Sequence, residues 1–227
     1  MVPSGGVSHR LRPMGASGHA SNDGTMVGSP SKTGEAGLLL IMAGPSGVGK
    51  TTIVHELIRR FGGMFSVSAT TRARTANERE GVDYFFLDES TFQRWIDEDR
   101  VLEHAQVFGR SWYGPPEAPV RAELAKGQLV VLDIDVQGAE NVRRRIPESL
   151  AVFILPPDEH ELLKRLRSRG REDEEAIQRR FAESKREIAR AQAGSTFDAF
   201  VVNDTLPHAI EQVAAIVSAR LPAARRA

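Results

Sequence analysis

Nine residues, GPSGVGKTT at 44–52, place three glycines, one lysine and two threonines directly after the apolar run LLLIMA. Gly44, Gly49, Lys50 and Thr51 satisfy the spacing G-x-x-x-x-G-K-[ST]. Glycine lets a backbone turn tightly and approach a ligand closely. Successive N–H groups at a helix start point at an anion and carry positive potential. A lysine adds a point charge for β- and γ-phosphates, and a threonine hydroxyl is a hard ligand for Mg²⁺. Gly44, Pro45, Ser46, Gly47, Val48, Gly49, Lys50, Thr51 and Thr52 therefore read as a cradle for the triphosphate of a nucleotide. Asp133 closes the run LVVLD, a strand-end carboxylate of the kind that holds Mg²⁺ or its water beside such a cradle. Residues 164–183, KRLRSRGREDEEAIQRRFAE, are crowded with arginine, and a solvated charged helix is the plain reading of that run.

The cradle needs a strand before it and a helix after it. LLLIMA (38–43) reads as a buried strand, and KTTIVHELIRRF (50–61) as a helix with Ile53, Val54, Leu57, Ile58 and Phe61 on one stripe. QLVVLDID (128–135), AVFILP (151–156) and AFVVN (199–203) are further continuous apolar runs, and 158–169, 173–193 and 207–220 have helical periodicity. Apolar runs without alternation suit strands buried on both faces. The expected fold is α/β, a P-loop-type parallel sheet with helices on both faces. Residues 66–117 are different in kind, rich in Thr, Arg and aromatics, and suggest a small mixed insertion.

Composition bounds the rest. The 227 residues suffice for one core or two small ones. Net charge is zero, so nothing argues for a nucleic-acid or membrane-surface partner. The absence of cysteine excludes disulfides, thiolate metal sites and a cysteine nucleophile. The longest apolar run is far too short to span a bilayer, and no secretion-type leader opens the chain, so the cytoplasm is the expected location. Residues 1–36 are small and polar with no apolar period, the composition of a disordered tail.

Across about 38–221 the chain resembles the guanylate kinase family, through GPSGVGKTT, SVSATTR, GVDYFF, LEHAQVFG, YG at 113–114, LDIDVQGA, FILPP, IQRRF and VVND. The resemblance implies conversion of GMP and ATP to GDP and ADP with Mg²⁺, on a P-loop core carrying a small GMP-binding part and a lid. It implies a core of 37–65, 118–158 and 184–222, a GMP-binding part of 66–117 with mixed α+β structure, and a helical lid of 159–183. Ser68 and Arg72 match residues that contact GMP, and Tyr84 and Tyr113 match the tyrosines that hold its phosphate beside Arg72. Glu103 matches the glutamate that reads guanine, accepting from N1–H and the 2-amino group together. Asp135 matches a second acid near the base, and Asp133 lies on the same side of the site. Arg165, Arg169 and Arg180 align with arginines that clamp the phosphates, and Asn203 with an adenine-side contact. The acceptor phosphate is already an anionic nucleophile, so alignment and charge stabilisation suffice and no general base is needed.

Three segments depart from the family pattern. The usual T-T-R-x-P-R-x-G-E is TTRARTANE at 70–78, with Thr75 at the second arginine and Glu78 in register. Arg74 is the residue offered as a replacement for the missing phosphate contact. GRSWYGP (109–115) is one residue longer than usual and puts Pro115 where a small hydroxyl residue is expected, with Ser111 as the substitute. RGREDEE in the lid is more charged than usual. Two other readings stand beside GMP kinase: a relative that phosphorylates another acceptor such as a ribose bisphosphate, and a non-catalytic binding module. Glu103 and Asp135 argue against the first, and Lys50 and Thr51 against the second. The partners are ATP and GMP, and the state is monomer or homodimer.

Overall fold

The computed structural model describes residues 37–107, 110–168 and 173–221. The tail 1–36, Arg169 and the lid residues 170–172 lie outside the described residues. In chain order the elements are β1 (Leu38–Ala43), α1 (Lys50–Phe61), β2 (Met64–Phe65), β3 (Ala69–Thr70), β4 (Phe85–Phe86), α2 (Glu89–Asp97), β5 (Ala105–Val107) and β6 (Ser111–Gly114). There follow α3 (Glu117–Ala125), β7 (Leu129–Asp133), α4 (Val136–Arg145), β8 (Leu150–Leu155), α5 (Glu159–Ser168), α6 (Glu174–Ala193), β9 (Ala199–Val202) and α7 (Leu206–Arg220).

Five strands form one parallel sheet in the order β2-β7-β1-β8-β9. Alternation within each apolar run divides it between two layers. Leu38, Leu40 and Met42 join Val131, Val152 and Ile154 under α1 and α7. Leu39, Ile41 and Ala43 join Val130, Leu132 and Phe153 against α4 and the end of α6. A strand covered on both faces needs apolar side chains at every position, which is why these runs show no polar alternation.

Met42 pairs with Asp133 in the β1–β7 register. The cradle leaves β1 at the same end of the sheet where β7 presents its carboxylate. That is the crevice outside the carboxyl ends of parallel strands, where such sheets bind ligands.

A second sheet, β4-β3-β6-β5, lies within residues 69–114 and mixes one parallel pair with two antiparallel ones. Its strands are two to four residues long, too short for a sequence period to declare. Arg145 of α4 ties this region to the core. It donates to Val101 O at 3.0 Å and pairs with Asp99 at 2.9 Å and Glu117 at 2.7 Å.

Candidate active site

The cradle is built as its sequence requires. Gly49 caps α1 with φ 99, a left-handed backbone that disfavours any Cβ, and a Cβ there would sit 2.6 Å from Asn203 Nδ2. A Cβ on Gly44 would meet Ile154 O at 2.4 Å. Lys50 arches back over the loop, donating to Gly44 O at 2.5 Å and lying 3.6 Å from Asp133 Oδ1. Burial pushes the Asp133 carboxyl up, and the Lys50 ammonium opposes that shift. Thr51 and Thr52 stand exposed on the first turn of α1.

Asn203 holds the loop from behind. It is 4 % exposed and its Nδ2 donates to Val48 O at 2.7 Å, while its Oδ1 has no partner. Its backbone oxygen accepts from Arg165 Nη2 at 3.1 Å, and Arg165 Nε donates to Glu161 at 2.9 Å. Arg180 of α6 reaches Ser46 Oγ at 2.5 Å. The cradle thus touches an arginine of α6 directly and one of α5 through Asn203.

Arg72 lies over the Tyr84 ring at 5.4 Å and the Phe86 ring at 5.8 Å, with the Tyr113 hydroxyl against its guanidinium. The two tyrosine rings meet edge to face at 5.7 Å. Glu78 takes Arg72 in a two-pronged pair, at 2.6 and 3.0 Å, which holds the glutamate down at about pKa 2. Thr75 donates to Glu78 Oε2 from both its backbone N–H and its hydroxyl, at 2.9 and 2.8 Å. The position usually held by a second arginine therefore orients Glu78, and Glu78 orients Arg72. Arg74 does not join the tyrosines; its exposed side chain donates to Glu78 O at 3.1 Å. Ser68 is half-buried at the edge of β3, its carbonyl taken by Phe85 N–H.

Glu103 is 7 % exposed, with Oε2 unpartnered. Burial first, then the charge of Asp135, pushes its pKa up to about 8, and a hydrogen bond from Asn141 opposes them. Asp135 caps α4, accepting from Gly138 N–H at 2.7 Å. Ser111 is not brought to Glu103. It pairs with Val107, four residues beyond Glu103 along the hairpin, a span of roughly 13 Å at strand rise. Pro115 occupies the near position, its carbonyl taken by Leu102 N–H.

Sequence reading passed over Glu187. It lies seven residues after Arg180, two turns along one face of α6. Burial pushes it up to about 7 and Lys50 draws it down, while Asp135 and Asp133 add to the rise. Lys50, Asp133, Asp135, Glu187 and Glu103 therefore form one electrostatically linked row. Only the spacing from Arg180 could have pointed to Glu187 in advance.

The raised Glu103 pKa has a defined sign. The carboxyl titrates near 4.5 when unfolded and about 8 when folded, so its protonated form favours the fold. That contribution is complete below about pH 4.5 and is lost as pH rises through 8. The resemblance implies a guanine edge with two N–H donors at Glu103, and such an edge needs the ionised form. On that expectation the KM for GMP should fall roughly 20-fold from pH 6.5 to 8.5 after correction for ionisation of the GMP phosphate, because a carboxyl with a pKa of about 8 is mostly protonated at the lower pH and mostly ionised at the higher. Initial rates at fixed saturating ATP measure it, and a flat profile would remove Glu103 from the pH dependence.

A family model described as Guanylate kinase matches residues 37–220. The Synechocystis protein named guanylate kinase is 41% identical over 190 residues, covering 83% of this chain and 97% of its own. That of Gloeobacter violaceus is 46% identical over 185 residues, covering 81% of this chain and 88% of its own. The crystal structure of guanylate kinase from Anaplasma phagocytophilum aligns with a TM-score of 0.66 at 30% identity, over 84% of this chain and 90% of that one. A nucleotide cradle, an arginine–tyrosine cluster and a buried carboxyl on one row of charges, together with these likenesses over nearly all of residues 37–221, have one conclusion: the chain belongs to the guanylate kinase family.

Proposed function

We propose that the protein transfers the γ-phosphoryl group of ATP to GMP, yielding GDP and ADP. The observation that carries this reading is Glu103, a carboxyl more than nine-tenths buried with an unpartnered oxygen. A buried carboxyl oxygen without a partner is costly, and a guanine edge with two N–H donors supplies one. A ribose phosphate acceptor offers it no such edge.

Arg72, preset by Glu78, would hold the GMP phosphate with Tyr84 and Tyr113. A GMP phosphate oxygen attacks the γ-phosphorus, and the bond to the β–γ bridging oxygen breaks. ADP leaves with that electron pair. No proton has to move for the attack, because the acceptor oxygen is already anionic. Lys50 and the loop amides hold the β- and γ-phosphates, while Arg165 and Arg180 face the charge that spreads over the equatorial oxygens. Thr51 and Asp133 offer hard oxygen ligands to Mg²⁺, directly or through water, which when bound neutralises phosphate charge. The buried, elevated Asp133 carboxyl fits such a cation, since a positive charge lowers the cost of ionising it.

Residues 66–117 and 159–183 are the segments that would close over the two nucleotides and exclude water. GMP and ATP together should protect them from limited proteolysis more than either nucleotide alone. Equal digestion in all conditions would argue against closure.

The direct test offers ATP with GMP, AMP, UMP and a ribose phosphate separately and measures ADP release. GMP should be the acceptor that supports turnover, with GDP as product. Consumption of a ribose phosphate without GDP formation would overturn the assignment.

A further inference from the structure

We propose that Gly138 is a specificity-determining position of the acceptor site: its bare Cα makes the room in which the Glu103 carboxylate meets guanine. This inference rests on the GMP-kinase reading above.

Gly138 is the third residue of α4 and is buried. Glycine is a poor helix former, so its presence there needs a reason. Conformation is not the reason, because Gly138 is not among the glycines with positive φ. Nor is its N–H waiting for a ligand, because that group donates to Asp135 Oδ1 at 2.7 Å. What remains is space. A Cβ on Gly138 would lie 3.1 Å from Glu103 Cδ, 3.1 Å from Oε1 and 3.3 Å from Oε2. The whole carboxyl group rests over this one Cα. Separations of that size require the neighbour to give way by a few tenths of an ångström, and the neighbour here is a side chain only 7 % exposed.

Asp135, Gly138 and Asn141 recur at a spacing of three, so they share one face of α4. Asp135 acts on Glu103 through its charge, Asn141 through a hydrogen bond, and Gly138 through its missing side chain. Together they fix the plane and position of the carboxyl. Reading two N–H groups at once depends on that plane: a carboxylate displaced by a few tenths of an ångström keeps one bond short only by lengthening the other. Gly138 touches no substrate atom, so it acts as a positioning residue.

The test is Gly138→Ala, alone and in a Glu103→Ala background. Alanine favours the helix while the displaced carboxyl opposes it, so the variant should stay folded with a thermal midpoint close to that of the parent. Alone, Gly138→Ala should raise the KM for GMP about tenfold, with kcat and the KM for ATP changed less than twofold. In the Glu103→Ala background, where no carboxyl remains to displace, it should change the KM for GMP less than twofold; non-additivity of this kind marks coupled residues. An unchanged KM in the single variant overturns the proposal. So does an equal rise in both backgrounds, which would place the effect in the helix rather than in the carboxyl. If the single variant unfolds, the double variant should fold, since the contact is gone, and a double variant that also unfolds overturns the proposal. A parent protein that makes no GDP defeats the GMP-kinase reading itself, which is a different result from a parent that makes GDP and a variant that matches it.

Discussion

Lys50→Met should yield a folded protein that forms GDP about 10³-fold more slowly. Lys50 Nζ rests on Gly44 O at 2.5 Å and beside Asp133 at 3.6 Å, poised over the cradle. Its charge stabilises most where negative charge is greatest, on the transferring phosphoryl group. Methionine keeps the length of the stem and removes that charge. The loss should appear in kcat more than in the KM for ATP, because the glycine-rich backbone amides still bind phosphate. Asp133 would also lose its counter-charge, and its carboxyl would rise further from the usual range. Lys50→Arg should not rescue, since a planar fork cannot enter a space shaped for a compact ammonium. Steady-state rates by coupled ADP release measure the effect. A variant within tenfold of the parent would remove Lys50 from the transfer step.

Glu103→Gln is expected to raise the KM for GMP about 100-fold while leaving the KM for ATP within twofold. The amide keeps the shape of the carboxyl and changes what it offers. One of its two terminal atoms becomes a donor, and it then faces a guanine N–H that is also a donor. That like-facing pair, buried where water cannot relieve it, costs on the order of 2–3 kcal/mol. The variant carries a second signature. Glutamine does not titrate, so the fall in GMP KM between pH 6.5 and 8.5 should disappear with the carboxyl. A GMP KM equal to that of the parent would strip Glu103 of the reading role, whatever becomes of the rate.

Four of the five strands of the main sheet, β1, β7, β8 and β9, and the helices that flank the cradle were legible because their physics is local. LLLIMA at 38–43 and KTTIVHELIRRF at 50–61 are found as β1 and α1 with the same bounds. A buried parallel strand needs every residue apolar, and an amphipathic helix needs its stripe, so both write their state into consecutive residues. Short elements do not. The two-residue strands β2, β3 and β4 lack the length to show a period. They are held by contacts from elsewhere in the chain.

The same division runs through the site. By itself the sequence marked a glycine loop with Lys50 and Thr51 between a buried strand and a helix, the pattern read as a triphosphate cradle, because those residues lie within nine positions of one another. Likeness to a family added Glu103, Arg72 and the tyrosines as acceptor-site residues. Only the tertiary structure decided that Thr75 holds Glu78 and Glu78 holds Arg72, that Arg74 turns away, and that Ser111 lies too far along its hairpin to serve the base. It also put Glu187 of α6 within reach of the Lys50 charge, and set Gly138 of α4 under the Glu103 carboxyl. Those relations join residues 35 to 137 positions apart in the chain, or turn on side-chain direction within a single loop. Burial, charge coupling and steric room depend on distances in space, and no spacing along a chain encodes them before the elements have packed.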